Sequence, residues 1–144
     1  MKVQRIDHVG VVVNDLAAVK AFFLDFGFEV QREGELSGEW IDQVVGLTDV
    51  KAAYVGLRLP DGQANLELLK FHEPADEKGV QQVYANSLGI RHIAFAVDDI
   101  EAVVAKLKKK VLKSLMKSST IKRAINGFVI SVDQRGLFWN WRST

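Results

Sequence analysis

Two stretches of the chain share one pattern of apolar and polar positions. Arg5 to Leu16 (RIDHVGVVVNDL) and Gly89 to Ile100 (GIRHIAFAVDDI) each place a histidine before an apolar run and an aspartate after it. The run predicts a buried strand, and the aspartate predicts the N-cap of a helix. At an offset of 84 residues, the aligned pairs are His8 with His92, Asp15 with Asp99 and Leu16 with Ile100. The repeat therefore predicts two similar structural units.

The first unit has the pattern of a βαβββ arrangement. A strand is predicted over 2–13, then a helix from Asp15 to Gly27 with apolar residues every three or four positions. A short strand over 28–32 and a polar, glycine-spaced loop over 33–50 follow. The loop contains one apolar turn. Strands over 52–59 and 64–71, joined by the turn Pro60-Asp61-Gly62-Gln63, predict a hairpin.

The second unit begins in the same way and then changes. We predict one domain composed of unit one (1–72), a linker (73–88) and unit two (89–144). Unit two opens with a strand over 90–97 and a helix capped by Asp98-Asp99, whose apolar spacing continues past Lys110 to about Ser118. Alternating apolar residues around the turn Asp133 to Gly136 then predict a hairpin at 127–142.

Composition restricts the possible chemistry. The chain has 144 residues, 48% of them hydrophobic, which is enough for one sizeable core. It contains no cysteine, so any metal must be held by His, Asp or Glu. No apolar run approaches the roughly 20 residues that span a bilayer, and the N-terminus lacks the features of a signal peptide. We therefore expect a cytoplasmic protein without a membrane partner.

The two repeat openings, together with the strand Ala64 to Phe71 (ANLELLKF), resemble the vicinal oxygen chelate superfamily over residues 1–110. This superfamily includes glyoxalase I, methylmalonyl-CoA epimerase, extradiol dioxygenases and bleomycin resistance proteins. The resemblance implies an α+β fold in which two paired βαβββ units form a half-open cup of mixed sheet. It also implies one divalent metal held by residues of the first and fourth strands. The matching positions are His8, Glu67 and His92, and Asn140 stands where the fourth ligand is expected.

The residue pattern around Glu67 supports a role in the cup. Glu67 lies between Leu66 and Leu68, so in a strand it points to the opposite face from both. A charge on a concave face must be paired or coordinated. Two imidazoles and a carboxylate suit Zn, Ni, Co, Mn or Fe(II), and the sequence does not select one. The simpler alternatives are a hydrogen-bonded strand histidine for His8 and a solvent-facing edge-strand carboxylate for Glu67.

After Lys110 the chain departs from the family pattern. Residues 111–144 carry 6 Lys+Arg and 1 acid, against 13 Lys+Arg and 17 acids before them. A reading frame that starts at the third base of each codon turns Trp139-Asn140 into glutamate and Asn140-Trp141 into leucine, whichever codons are used. The C-terminal quarter from about Val111 therefore has the character of a frame-shifted sequence. The alternative is a basic nucleic-acid arm with Trp139 and Trp141 as a stacking platform, and binding of nucleic acid is not our expectation.

The resemblance implies a metal-dependent lyase or isomerase acting on a small molecule with neighbouring oxygens, with Glu67 as the proton acceptor. An altered C-terminus could impair it. An extradiol-type dioxygenase is the second enzyme class. A metal-free drug-binding protein of the bleomycin resistance type is the non-enzyme alternative. Its pocket residues would be Trp40, Tyr54, Arg58 and Arg91. The resemblance also implies a homodimer.

Overall fold

The computed structural model describes residues 1–60, 62, 64–78, 86–90, 93–99, 101–103, 105–107, 109, 128–133 and 136–141. The chain divides into two compact units, Met1–Glu77 and Lys78–Thr144, which are described separately. Each contains a sheet, and the predicted α+β class is confirmed. No helix in the described ranges is long and apolar enough to cross a membrane.

The first unit is a four-stranded sheet with two helices. Its elements are β1 (His8–Val12), α1 (Leu16–Leu24), β2 (Glu29–Ser37), α2 (Glu39–Val45), β3 (Lys51–Arg58) and β4 (Asn65–Glu73). The strand order is β1-β4-β3-β2, with β1 parallel to β4 and the other neighbours antiparallel. The predicted βαβββ order and the β3–β4 hairpin are confirmed. Because β4 lies inside the sheet, the edge-strand alternative for Glu67 is wrong.

Helix α1 begins and packs as its sequence predicts. The Asp15 carboxylate accepts a hydrogen bond from the Ala18 backbone N–H at 2.9 Å, which caps the helix. Val19 and Phe23, one helical turn apart, are buried, and α1 contacts β3 and β4. The sheet residues buried on the helix side alternate along these strands: Val55, Leu57, Leu66 and Leu68. The opposite face of the sheet therefore remains available for a site.

The predicted loop over 33–50 is wrong in part. Strand β2 continues to Ser37, which pairs with Lys51, and the apolar turn is helix α2. Its buried residue Ile41 belongs to a small core with Val50 and Ala52, against which Leu36 and Phe71 pack. The polar stretch lacks a strand pattern of its own, and pairing with β3 makes it one. The prediction for β1 is also corrected, because pairing with β4 starts only at His8.

Segment 46–50 is fixed by one side chain of α2. The Asp42 carboxylate accepts backbone hydrogen bonds from Asp49 at 3.0 Å and Val50 at 2.9 Å. Gly46 ends the helix with φ near 70°, a left-handed conformation that favours glycine. The short helix is thereby held against the start of β3.

The second unit contains a three-stranded antiparallel sheet. Its strands are β5 (Ala94–Phe95), β6 (Phe128–Asp133) and β7 (Gly136–Trp141), in the order β5-β7-β6. The hairpin predicted at 127–142 is confirmed, and Asp133 pairs with Gly136. The strand predicted over 90–97 is shorter, because pairing with β7 covers only Ala94 and Phe95. Strand β7 runs antiparallel to β5, unlike the parallel β1 and β4.

Helical residues 101–103, 105–107 and 109 follow β5. The Asp99 carboxylate accepts a hydrogen bond from the Ala102 N–H at 2.9 Å, so its predicted role as a cap is confirmed. Leu107 is buried, as its spacing predicts. The predicted continuation of the helix over 110–118 lies outside the described residues.

Candidate metal site

The open face of the first sheet carries a straight row of four residues across all four strands. Gly10 pairs with Glu67, Glu67 with Gly56, and Gly56 with Arg32. Residues paired across strands share one face of a sheet. Since Leu66 and Leu68 point to α1, this row points away from it. The two glycines leave Glu67 without a bulky neighbour on either side.

His8 and Glu67 come together on this face. The Nε2 atom of His8 lies 3.9 Å from Oε1 of Glu67, because His8 is two residues before Gly10 on the neighbouring strand. The Glu67 side chain is only 18% exposed, whereas that of His8 is 41% exposed. Metal ions bind imidazole nitrogen and carboxylate oxygen at about 2.0–2.2 Å. The separation and the donor types are therefore compatible with a divalent cation, which His8 and Glu67 would hold together.

Asp7 orients the His8 ring. Its Oδ2 lies 3.1 Å from Nδ1 of His8, and its Oδ1 accepts a hydrogen bond from Nη2 of Arg5 at 2.7 Å. The hydrogen bond with His8, and then that with Arg5, lowers the pKa of Asp7 below its usual value. In a neutral ring, a carboxylate at Nδ1 favours the tautomer with the proton on that nitrogen, so Nε2, the atom nearer Glu67, would be available as a metal ligand. Sequence reasoning missed Asp7, although its position directly before His8 was a usable signal.

Arg32 contacts the other oxygen of Glu67. Its Nη2 donates to Oε2 at 3.3 Å, and its guanidinium carbon lies 6.0 Å from the centre of the Tyr54 ring. Sequence reasoning missed Arg32 as well. No local pattern identifies it, because it reaches Glu67 only across the intervening strand β3.

The remaining predicted site residues have different positions. Tyr54 and Arg58 lie on β3, and Nη2 of Arg58 contacts Glu29 at 3.4 Å. Trp40 is an exposed residue of α2. Arg91 and His92 lie outside the described residues. Asn140 lies in β7 and pairs with Val129. Among described residues no group of three His, Cys, Asp or Glu side chains is close enough to hold an ion, so the three-ligand set stays a prediction.

A separate cavity of about 320 Å³ lies at the carboxyl ends of β1 and β4. It is lined by Val12, Val13, Asn14, Leu47, Lys70, Phe71, Pro74, Ala75 and Asp76. None of these residues belongs to the His8–Glu67 pair, so we place the candidate chemistry on the open face and not in this cavity.

Comparison with known proteins identifies the family. The sequence profile of the Glyoxalase/Bleomycin resistance protein/Dioxygenase superfamily matches residues 5–124. The chain belongs to this superfamily. The match extends past Lys110, after which the sequence departs from the family pattern, and it ends before β6 and β7 begin.

Three individual proteins are similar to the chain. The chain is 29% identical over 111 residues to the uncharacterized protein YaeR of Escherichia coli K12, covering 76% of this chain and 74% of that protein. It is 29% identical over 122 residues to the mitochondrial methylmalonyl-CoA epimerase of Mus musculus, covering 83% and 61%. The crystal structure of a glyoxalase family protein from Bacillus cereus superposes with a TM-score of 0.71 at 30% identity, covering 76% and 73%.

Proposed function

We propose that this chain is a metal-dependent lyase or isomerase that acts on a small molecule with neighbouring oxygen atoms. The observation that carries the proposal is the 3.9 Å approach of His8 Nε2 to Glu67 Oε1 on the open face of the sheet. His8, Glu67 and His92 are the proposed ligands. If held there, a divalent cation would supply Lewis acidity that polarises a substrate oxygen and makes a neighbouring C–H group more acidic.

The protein's own groups have distinct proposed tasks. Glu67 accepts the proton through its carboxylate, whose low exposure limits competition from water. Asp7 keeps the His8 ring in one orientation. Helix α2 covers one end of the sheet, because Ile41 packs on Val50 and Ala52 there. The Arg58–Glu29 pair lies at the other end. The substrate therefore approaches the uncovered part of the face.

The similarity to an epimerase supports proton transfer over oxygen insertion. The name methylmalonyl-CoA epimerase describes an isomerase, and the matched region covers 83% of this chain. An extradiol-type dioxygenase is therefore our second enzyme class. A metal-free drug-binding protein remains the non-enzyme alternative, for which the half-buried Tyr54 and the exposed Trp40 and Arg58 offer aromatic and cationic contacts.

Metal uptake tests the proposal. The purified chain is equilibrated separately with Zn, Ni, Co, Mn and Fe(II), and bound metal is measured after gel filtration. We expect uptake by the wild type and a loss of affinity greater than about a hundredfold in Glu67→Gln and His8→Ala. Glu35→Gln, an exposed β2 carboxylate, is the matched control. If the metal affinity is the same in the wild type and in both variants, the proposed site is wrong. A chain that binds no metal, yet binds an aromatic drug, is a binding protein.

Exchange of substrate protons tests the reaction class. The metal-loaded chain is incubated in deuterated water with small 2-oxo and 2-hydroxy acids or thioesters, and deuterium incorporation beside the carbonyl is followed by NMR. Incorporation that disappears in Glu67→Gln supports the lyase or isomerase class. Consumption of oxygen with a catechol in the Fe(II) protein, without exchange, supports the dioxygenase instead.

We also propose a homodimer. Four apolar side chains of the α2 region are exposed: Trp40, Val44, Val45 and Leu47. Exposed apolar residues in one segment are a common feature of protein interfaces. Sedimentation of the wild type and of Val44→Glu checks this. A wild type that sediments as a monomer at micromolar concentration contradicts it.

A further inference from the structure

Arg32 has binding capacity beyond its contact with Glu67. The distance from its Nη2 to Oε2 of Glu67 is 3.3 Å, and its side chain is 55% exposed. A guanidinium has five N–H donors in a planar fork. One long contact therefore leaves donors that an incoming group on the open face can reach.

A glycine permits this arrangement. Gly56 lies between Arg32 and Glu67 in the cross-strand row, and a Cβ atom there would lie 3.0 Å from Cγ of Arg32 and 3.5 Å from its Nε. Glycine inside a strand weakens it and often marks the close approach of another group. Here the Arg32 side chain crosses β3 in the space that a larger residue would fill.

A bound divalent cation would give the open face a net positive charge. Without metal, the carboxylates of Glu29 and Glu67 balance the guanidiniums of Arg32 and Arg58. A divalent cation held by His8 and Glu67 would add two positive charges to this balanced set. Such a surface attracts anionic ligands and orients them.

We infer that Arg32 determines substrate specificity by binding a carboxylate, and that the substrate of the proposed enzyme carries this carboxylate beside its metal-chelating oxygens. This inference rests on the proposed function. The Arg32 guanidinium already binds one carboxylate, that of Glu67. A substrate carboxylate can be bound by the same planar set of N–H donors. The existing pair is long and more than half exposed on the Arg32 side, so exchanging one carboxylate for another costs little.

Two probes that differ by one carboxylate test the inference on the Co(II)-loaded chain. Glycolate can chelate an ion through its hydroxyl and carboxylate, and hydroxymalonate adds a second carboxylate. Binding is measured by calorimetry and by the visible spectrum of Co(II), which also reports that the ion stays bound. We expect Arg32→Gln to weaken hydroxymalonate binding about tenfold to a hundredfold. Glycolate binding should change by no more than about twofold.

Three further variants complete the test. Arg32→Lys keeps the charge without the fork and should give an intermediate loss. Gly56→Ala keeps the guanidinium but displaces its stem, and should reduce the preference for hydroxymalonate. Lys51→Gln removes a cation that is paired with Glu73 and lies outside the His8–Glu67–Arg32 group. It should leave the affinity for both probes unchanged. Circular dichroism confirms that each variant is folded.

The outcomes separate the two proposals. A wild type that takes up no Co(II) overturns the proposed function and this inference with it. A chain that takes up Co(II), but whose hydroxymalonate affinity is the same in Arg32→Gln, overturns this inference alone. Equal weakening of both probes also overturns it, because the second carboxylate is then not what Arg32 recognises.

Discussion

The Nε2 atom of His8 lies 3.9 Å from Oε1 of Glu67, although the two residues come from the first and last strands of the unit. Parallel pairing of β1 with β4 produces this proximity, since Gly10 pairs with Glu67 and His8 stands two residues earlier on the same face. Because Gly10 has no side chain, the Glu67 carboxylate and the His8 imidazole can approach each other on this face. The same relationship exposes the pair to solvent from one side only, because α1 packs on the other face.

Asp7→Asn should weaken metal binding by about tenfold to a hundredfold, because it removes the carboxylate that orients His8. The measurement is competition with a coloured chelator at pH 7. Glu35→Gln serves as the control for loss of one negative charge. If Asp7→Asn binds as tightly as the wild type, the ring orientation does not depend on Asp7.

Leu57→Ala should lower the free energy of unfolding by about 2–5 kcal/mol, because it opens a cavity under α1. Leu57 has 0% exposure, whereas Leu24 on α1 is 40% exposed. The matched control Leu24→Ala should therefore cost about 1 kcal/mol or less. Urea unfolding followed by circular dichroism measures both. Equal costs for the two variants would contradict the assignment of the buried face.

Glu73→Gln should lower the pKa of Lys51 toward its usual value. The hydrogen bond from Lys51 to the Glu73 carboxylate, and next the charge of Glu73, raises this pKa above its usual value. A raised folded-state pKa contributes stability below the unfolded-state pKa, and that stability is lost as pH rises through the folded-state value. NMR titration of the Lys51 side chain gives the pKa directly. The free energy of unfolding should be higher in the wild type than in the variant at neutral pH, and the two values should converge in strong alkali.

Asn140→Glu should strengthen metal binding by about tenfold or more if β7 has the register of the family's last strand, because a carboxylate adds an anionic ligand. Asn140→Gln, which changes the length of the side chain without adding charge, is the matched control. The measurement is the same chelator competition. Strand β7 pairs antiparallel with β5, whereas β4 pairs parallel with β1. If metal binding does not strengthen, the β6–β7 hairpin does not reproduce the family's closing strand.

A gene with one base added near codon 110 should encode a more stable chain that binds metal more tightly. Phe138-Trp139 also permits only leucine in the shifted frame, so the codons of Phe138 to Trp141 are forced to encode Leu-Glu-Leu. The same tripeptide stands at Leu66-Glu67-Leu68. Thermal unfolding and metal content of the two chains provide the comparison. A stop codon in the shifted frame between codons 111 and 143 would contradict the hypothesis.

The sequence determined the features that depend on near neighbours. An aspartate directly before a helical apolar pattern can accept a hydrogen bond from an N–H of the first turn, so Asp15 and Asp99 were recognisable as caps without a structure. Alternation at Leu66, Glu67 and Leu68 fixed the side to which each points, because successive strand residues face opposite ways. The hairpin at 128–141 followed from alternation and a turn.

Tertiary pairing decided the rest. Strand β2 extends to Ser37 only because β3 supplies hydrogen-bond partners for a polar stretch that has no strand period of its own. Arg32 reaches Glu67 because the register aligns both with Gly56, and no pattern local to Arg32 encodes that register. The direction of β7 against β5 is likewise a property of the assembled sheet. Local rules act over a few residues, whereas this candidate site is assembled by strands that are distant in sequence.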